Sequence, residues 1–273
     1  MVARHILSLV RKVLFMKILA IGDIFGRVGR DAVFSYMDRH YGEFDLVIAN
    51  GENAAHGRGM TRPVYGELKK AEIDGFTMGN HTWGCPDIEQ LFRYNDDIIR
   101  PANYEGNVHG KGSMILTAKN GKKVGIINVI GRTYMQDVAS SPFFSCDAEI
   151  EKLKDRADVI LVDFHAEATS EKLALGYYLD GRVSAVFGTH THVQTADNHI
   201  MPKGTAYITD IGMTGASVSV LGLDKNTIIN RFRDGLPQKF EPATGKGHLC
   251  GCIFHIDDYT NKVTSVERVY EEF

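Results

Sequence analysis

Eight residues, scattered through the first two hundred of the chain, are of the types that bind metals or move protons: Asp23, Glu52, Asn53, Asn80, His81, His165, His190 and His192. Each falls at the end of an apolar run. Asp23 follows Ile18 to Gly22, Glu52 and Asn53 follow Leu46 to Asn50, and Asn80 and His81 follow Phe76 to Gly79. His165 closes Ile160 to Phe164, and His190 and His192 follow Val186 to Gly188. Taken singly, each has an ordinary explanation. Asp23 could cap a helix, Asn53 and Asn80 could serve turns, and a lone His165 could be a satisfied core histidine. Five such coincidences at five strand ends are hard to credit to caps and turns.

A carboxylate, amide and imidazole set suits iron or manganese, with zinc the third candidate, rather than copper. One Asp, one Glu, two Asn and three His exceed what a single ion takes, so two transition-metal ions sharing Glu52 as a bridge are expected. Two histidines at i and i+2 of an extended segment point the same way, so His190 and His192 can reach one metal cluster. A metal pair turns water into a nucleophile and clamps both oxygens of an in-line phosphoryl displacement. The leaving oxygen then needs a proton, which His81, beside Asn80, is placed to give; the plainer alternative is a histidine that only orients a ligand.

The elements that must position these residues are those of an α/β chain. Strands are predicted at Lys17 to Gly22, Asp45 to Asn50, Phe76 to Met78, Lys123 to Ile130, Val159 to Phe164, Ser184 to Phe187 and Thr205 to Thr209. Helix-compatible spacing lies between them at Val28 to His40, Pro63 to Ile73 and Ser170 to Leu179. The carboxy-terminal runs Lys246 to Ile256 and Lys262 to Tyr270 read as a hairpin. Alternating units followed by a hairpin predict a mixed sheet, or two stacked sheets, with helices outside. Strand ends on one sheet edge converge on a crevice, where such folds place their ligands.

At 273 residues and 44% hydrophobic composition the chain can bury a full core, and no linker divides it. One domain over residues 16–273 is the expectation, with residues 1–15 an appendage or a start-site artefact, too short and too charged to span a bilayer. A net charge of -3, with no long basic run, offers no strong nucleic-acid footprint. Four cysteines without a CxxC pair are too few for a disulfide scaffold and place the chain in the cytoplasm. Cys250 and Cys252 share one face of an extended segment, which core packing explains and half of a metal site would also explain.

With these segments assembled, Gly22-Asp23, Gly51-Glu52-Asn53, Gly79-Asn80-His81, His165 and Gly188-Thr189-His190-Thr191-His192 resemble the calcineurin-like metallophosphoesterases, and more narrowly the bacterial YmdB-like branch. The resemblance runs from Met16 to near the end. Two departures from the wider superfamily are typical of that branch: Asp23-Ile24-Phe25 stands where most relatives have Asp-x-His, and Glu52 where most have a bridging Asp, with Asn53 as replacement ligand. The resemblance implies a four-layer α/β/β/α sandwich of two mixed sheets flanked by helices. It implies one ion on Asp23, Glu52, Asn53 and His192, a second on Glu52, Asn80, His165 and His190, and His81 as catalytic acid. It also implies phosphodiesterase action on a small-molecule cyclic nucleotide, 2',3' or 3',5', for which His56, Arg58 and the turn Gly212 to Gly215 could line a pocket or simply be loop. A regulatory protein with a structural metal centre and a phosphatase acting on another phosphoester are the alternatives. A homo-oligomer is expected only because symmetric assembly is common.

Overall fold

The computed structural model describes residues 15–136 and 139–273. The expectation for residues 1–15 therefore lies outside them, save for Phe15, which opens the first strand one residue earlier than Met16. Thirteen strands and six α-helices occur among the described residues, in two sheets.

The first sheet is built from β1 (Phe15–Ile21), β2 (Asp23–Ile24), β3 (Leu46–Asn50), β4 (Gly75–Thr77), β11 (Met213–Ala216), β12 (Gly247–Asp257) and β13 (Val263–Glu272), in the order β2-β11-β12-β1-β3-β4 with β13 beside β12. β1, β3 and β4 are parallel, so their carboxy-terminal ends share one edge. The long β12 runs antiparallel to β1 and folds back through a tight turn into β13, which makes the sheet mixed. The Asp257 carboxylate holds that turn by accepting from the amides of Tyr259 and Thr260. The second sheet has the order β5 (Ser113–Thr117), β6 (Lys123–Ile130), β7 (Val159–His165), β8 (Ala185–Thr189), β10 (Ala206–Ile208) and β9 (His199–Ile200). Here β6, β7, β8 and β10 are parallel.

Side-chain alternation along the strands creates three apolar layers. Ile18 and Ala20 of β1 point between the sheets, where they meet Leu161 of β7 and Phe187 of β8, while Leu19 and Ile21 point outward to Val33, Val64 and Leu91. Those outer residues belong to α1 (Gly26–Arg39), α2 (Arg62–Lys70) and α3 (Ile88–Tyr94). On the other side Ile160, Val162 and Phe164 of β7 pack on Ile150 of α4 (Pro142–Leu153) and on Leu175 and Leu179 of α5 (Thr169–Leu179). The result is the α/β/β/α sandwich expected of the resemblance.

α6 (Lys225–Asp234) lies in the long connection between β11 and β12, capped by Asp224 at its start and by Gly235 in the left-handed conformation at its end. Two local readings change. The segment Gly212 to Gly215 is largely strand β11, paired in parallel with β2 and fully buried, so it is no open phosphate-binding turn. Cys250 and Cys252 are buried, Cys252 between the sheets, and burial pushes the Cys250 thiol up to about 12: both are core thiols.

Candidate metal centre

All eight chemistry-bearing residues meet at the carboxy-terminal edge of the parallel strands. Each arrives at the end of its own strand: Asp23 opens β2 just after β1, Glu52 and Asn53 follow β3, Asn80 and His81 follow β4, His165 is the last residue of β7, and His190 and His192 follow β8. Asp23, Glu52, Asn53 and His165 are buried. Ligand atoms of Glu52, His165 and His190 lie within 4.8 Å of one another.

Two halves of the cluster can be distinguished. In the first, His165 Nε2 is 2.8 Å from Asn80 Oδ1, 3.1 Å from His190 Nδ1 and 3.3 Å from Glu52 Oε1. In the second, His192 Nε2 is 3.2 Å from Asn53 Nδ2 and 3.8 Å from Asp23 Oδ1. Glu52 joins them, because Asn53 Nδ2 donates to its Oε1 at 3.0 Å. His190 and His192 reach their separate halves by a different backbone from the one expected. Neither is extended: φ is +96° at His190 and +64° at His192. The chain turns sharply after β8, and Thr191 between them is tied down by Asp210 through its amide and hydroxyl. Non-glycine residues held at positive φ cluster where surrounding structure over-determines them for function.

The orientation of His165 is set from behind. Thr189 Oγ1 donates to Asp163 Oδ1 at 2.7 Å, so its oxygen accepts from His165 Nδ1 at 2.9 Å. That holds a proton on Nδ1 and turns Nε2 toward the cluster. Asp163 is itself fully buried, raised to about 6 by that burial, and also accepts from Thr77 and Asn50. A carboxylate inside the run Val159-Ile160-Leu161-Val162-Asp163-Phe164-His165 is the sequence signal for this support, and sequence reasoning passes over it. His81 is held twice: its amide donates to Glu52 Oε2 at 2.9 Å, and its Nδ1 lies 2.7 Å from Asn53 Oδ1. Burial lowers its pKa below the ordinary histidine value.

The electrostatics call for cations. Asp23 Oδ1 is buried and has no hydrogen-bond partner, while its Oδ2 accepts from the His190 amide. A buried carboxylate oxygen left bare is costly unless a positive charge faces it. Burial also works against a charge on His165, yet Glu52, Asp23 and Asp163 raise its pKa to about 9. Burial and neighbouring His165 push His190 down to about 3, which keeps it a neutral donor. The donor set and the bare oxygen therefore fit metal ions.

The cluster opens into a cleft of about 630 Å³. His56, Arg58, His81 and Glu167 line it together with Phe25, Leu221, Leu223, Phe240 and Pro242. Of the two readings open for His56 and Arg58, the structure has them lining the cleft, and Glu167, whose Oε2 is 3.2 Å from His190 Nε2, had no signal in the sequence.

Two stacked mixed sheets with candidate metal-ligating side chains at the strand ends are the arrangement of a calcineurin-like metallophosphoesterase, a hydrolase of phosphoric esters. Within that class the chain belongs to the family described as YmdB-like protein, which matches residues 19–269. It is 49% identical over 259 residues to the 2',3'-cyclic-nucleotide 2'-phosphodiesterase of Bacillus subtilis, covering 93% of this chain and 96% of that one. Among solved structures, a protein from Thermus thermophilus superposes with a TM-score of 0.88 at 40% identity, over 94% of this chain and 99% of the other. A structure described as a novel phosphatase from Mycoplasma pneumoniae gives the same TM-score at 35% identity, over 94% of each chain.

Proposed function

We propose that the chain is a dinuclear metal-dependent phosphodiesterase that opens cyclic nucleotides, with 2',3'-cyclic monophosphates the first substrates to test and 3',5'-cyclic monophosphates the second. The observation that carries the reading is the bare, buried Asp23 Oδ1 facing His192 and His165, in a cluster whose donors divide into two halves around Glu52. Asp23, Glu52, Asn53 and His192 would hold one ion, and Glu52, Asn80, His165 and His190 the other. Iron and manganese suit these donors, and zinc follows. Ions bound there supply Lewis acidity and a nucleophile from water near neutral pH.

The chain's own residues do the rest. Thr189 and Asp163 hold the His165 ring with Nδ1 toward Thr189 and Nε2 toward the cluster, where a bound ion would take the place of the Nε2 proton. Asn53 engages His81 Nδ1, which leaves Nε2 as the ring nitrogen available to a substrate in the cleft. The acid is the imidazolium form of His81: as a water oxygen bonds to phosphorus and the ring P–O bond breaks, its Nε2 proton passes to the departing ribose oxygen, the water gives up a proton to solvent, and a phosphomonoester results. Nδ1–H donates to Asn53 Oδ1, so only the doubly protonated ring carries a proton on Nε2, and burial, which lowers its pKa, makes that form a stronger acid whose population falls as pH rises. The relative in Bacillus subtilis is named for this class of substrate, and the free thiols fit a cytoplasmic protein.

The test is hydrolysis of bis-p-nitrophenyl phosphate and of both cyclic AMP isomers, with manganese added, by wild type and His81→Ala. Turnover by wild type and a loss of roughly 10²–10⁴-fold in kcat with metals retained supports the reading. Full turnover by a folded His81→Ala rejects His81 as the acid, and tight metal without any wild-type turnover favours a structural metal centre.

A further inference from the structure

Phosphate chemistry uses only the polar part of the cleft, yet Phe25, Leu221, Leu223, Phe240 and Pro242 make up its remaining lining. This apolar wall is built, not incidental. Phe25 is buried with its ring edge-on to His192, centroids 5.8 Å apart. Gly57 and Gly222 flank that ring so closely that a Cβ on either would stand 2.6–2.7 Å from it. Leu221 accepts from His192 Nδ1 through its carbonyl at 3.1 Å, which ties the wall to the metal cluster. Leu223 bridges to Pro242, the Asp224 amide donates to the Glu241 carbonyl at 2.9 Å, and the Ala243 amide to the Gly222 carbonyl at 2.8 Å. These bonds pin segments 222–224 and 241–243 to each other, and Leu221 and Phe240, which flank them, both line the cleft.

Phe240 and Leu221 nevertheless remain 44% and 46% exposed. The Arg231 guanidinium of α6 stands 5.1 Å from the Phe240 ring centroid and does not itself line the cleft. One side of the ring is thereby held by a cation from outside, and the ring still contributes to the cleft. An aromatic face steadied in this way is a stacking platform for a flat, polarisable group.

We infer that the Leu221–Phe240 wall is the subsite for the nucleobase of the phosphodiester, with Phe240 as the stacking residue. The inference rests on the phosphodiesterase reading above and adds the part of the substrate that the metal cluster does not touch. Stacking tolerates any base, so the subsite selects nucleoside diesters over diesters without a base rather than one base over another.

The experiment compares 2',3'-cyclic AMP with methyl riboside 2',3'-cyclic phosphate, in which a methoxy group replaces the base, on metal-loaded wild type, Phe240→Ala and Phe240→Trp. Phe240→Ala is expected to raise KM for 2',3'-cyclic AMP by about 5- to 100-fold, with kcat/KM for the methyl riboside diester unchanged within about twofold. Phe240→Trp is expected to keep the wild-type KM or lower it. Equal losses on both substrates would make Phe240 a support for the His192 loop and overturn the subsite. So would no loss on either, or a change confined to oligomeric mass, which would mark the wall as a contact between copies. Wild type that hydrolyses the methyl riboside diester and not the nucleotide removes the nucleobase subsite while the diesterase reading stands. Wild type that hydrolyses neither removes the cyclic-diester reading and the subsite with it.

Discussion

Lys172 Nζ lies 2.7 Å from Asp210 Oδ2, an ion pair with both side chains fully buried. The same oxygen accepts from the Thr191 amide and hydroxyl, and Oδ1 accepts from the Gly212 amide at 2.8 Å. The pair thus anchors the bend that sends His190 and His192 to opposite halves of the candidate metal centre. Removing one partner leaves a buried charge alone, which costs about 3–5 kcal/mol. Lys172→Met is expected to lower stability by about that amount in denaturant titration and to weaken metal retention. The double variant Lys172→Met/Asp210→Leu should recover part of the stability but not the metal, because Thr191 stays untied.

Gly79 is a second place where the fold is intolerant for a chemical reason. A Cβ there would run into His165 Nε2 and Glu52 Oε2. The backbone cannot retreat, since the Gly79 carbonyl accepts from Thr82 Oγ1 at 2.6 Å and from the Tyr104 hydroxyl at 2.9 Å. Gly79→Ala is expected to lose bound metal out of proportion to any fall in melting temperature, as read by elemental analysis beside a thermal melt.

Glu52 stands between the two halves of the cluster, whereas Asp23 faces His192 and His165 from one side. Glu52→Ala should therefore deplete both metals and Asp23→Ala chiefly one. Loss of the same single equivalent in both variants would reject Glu52 as the bridge.

Asp197 anchors the loop that follows His192. Burial pushes its carboxyl up, but hydrogen bonds from Thr195 and Thr209 outweigh that and hold it below the ordinary aspartate value. A lowered folded-state pKa means stability that is present above the unfolded value and lost as pH falls through the folded one. Asp197→Asn is expected to melt earlier than wild type at neutral pH, with the gap closing below about pH 4. A gap that persists unchanged to about pH 2 would show that the charge on Asp197 contributes nothing.

The meeting of these side chains is legible in the sequence because they sit at strand ends, and apolar runs such as Leu46 to Asn50 announce themselves. The hairpin is legible from Asp257-Asp258 and Thr260-Asn261 for the same reason: local turn chemistry decides it. What supports the cluster is not legible. Lys172 lies on a helix and Asp210 beyond β10, and nothing local says that they pair. The helix Pro142–Leu153 hides behind irregular apolar spacing, and Lys225–Asp234 buries only Ile228, so periodicity is faint in both. β11 reads as a turn because glycines mark turns in sequence, whereas here tertiary pairing with β2 and β12 claims them. The bend at His190 and His192 escapes a sequence reading since extended backbone is the default after a strand, and Asp210 imposes the exception.

The transition-metal content of the wild-type chain, read by elemental analysis on the sample used for diester turnover, decides whether two ions act in this cleft. Two equivalents per chain, with turnover lost on chelation and restored by manganese or iron, is the expected result. A chain that hydrolyses cyclic nucleotides at full rate with one equivalent or none would contradict the dinuclear account.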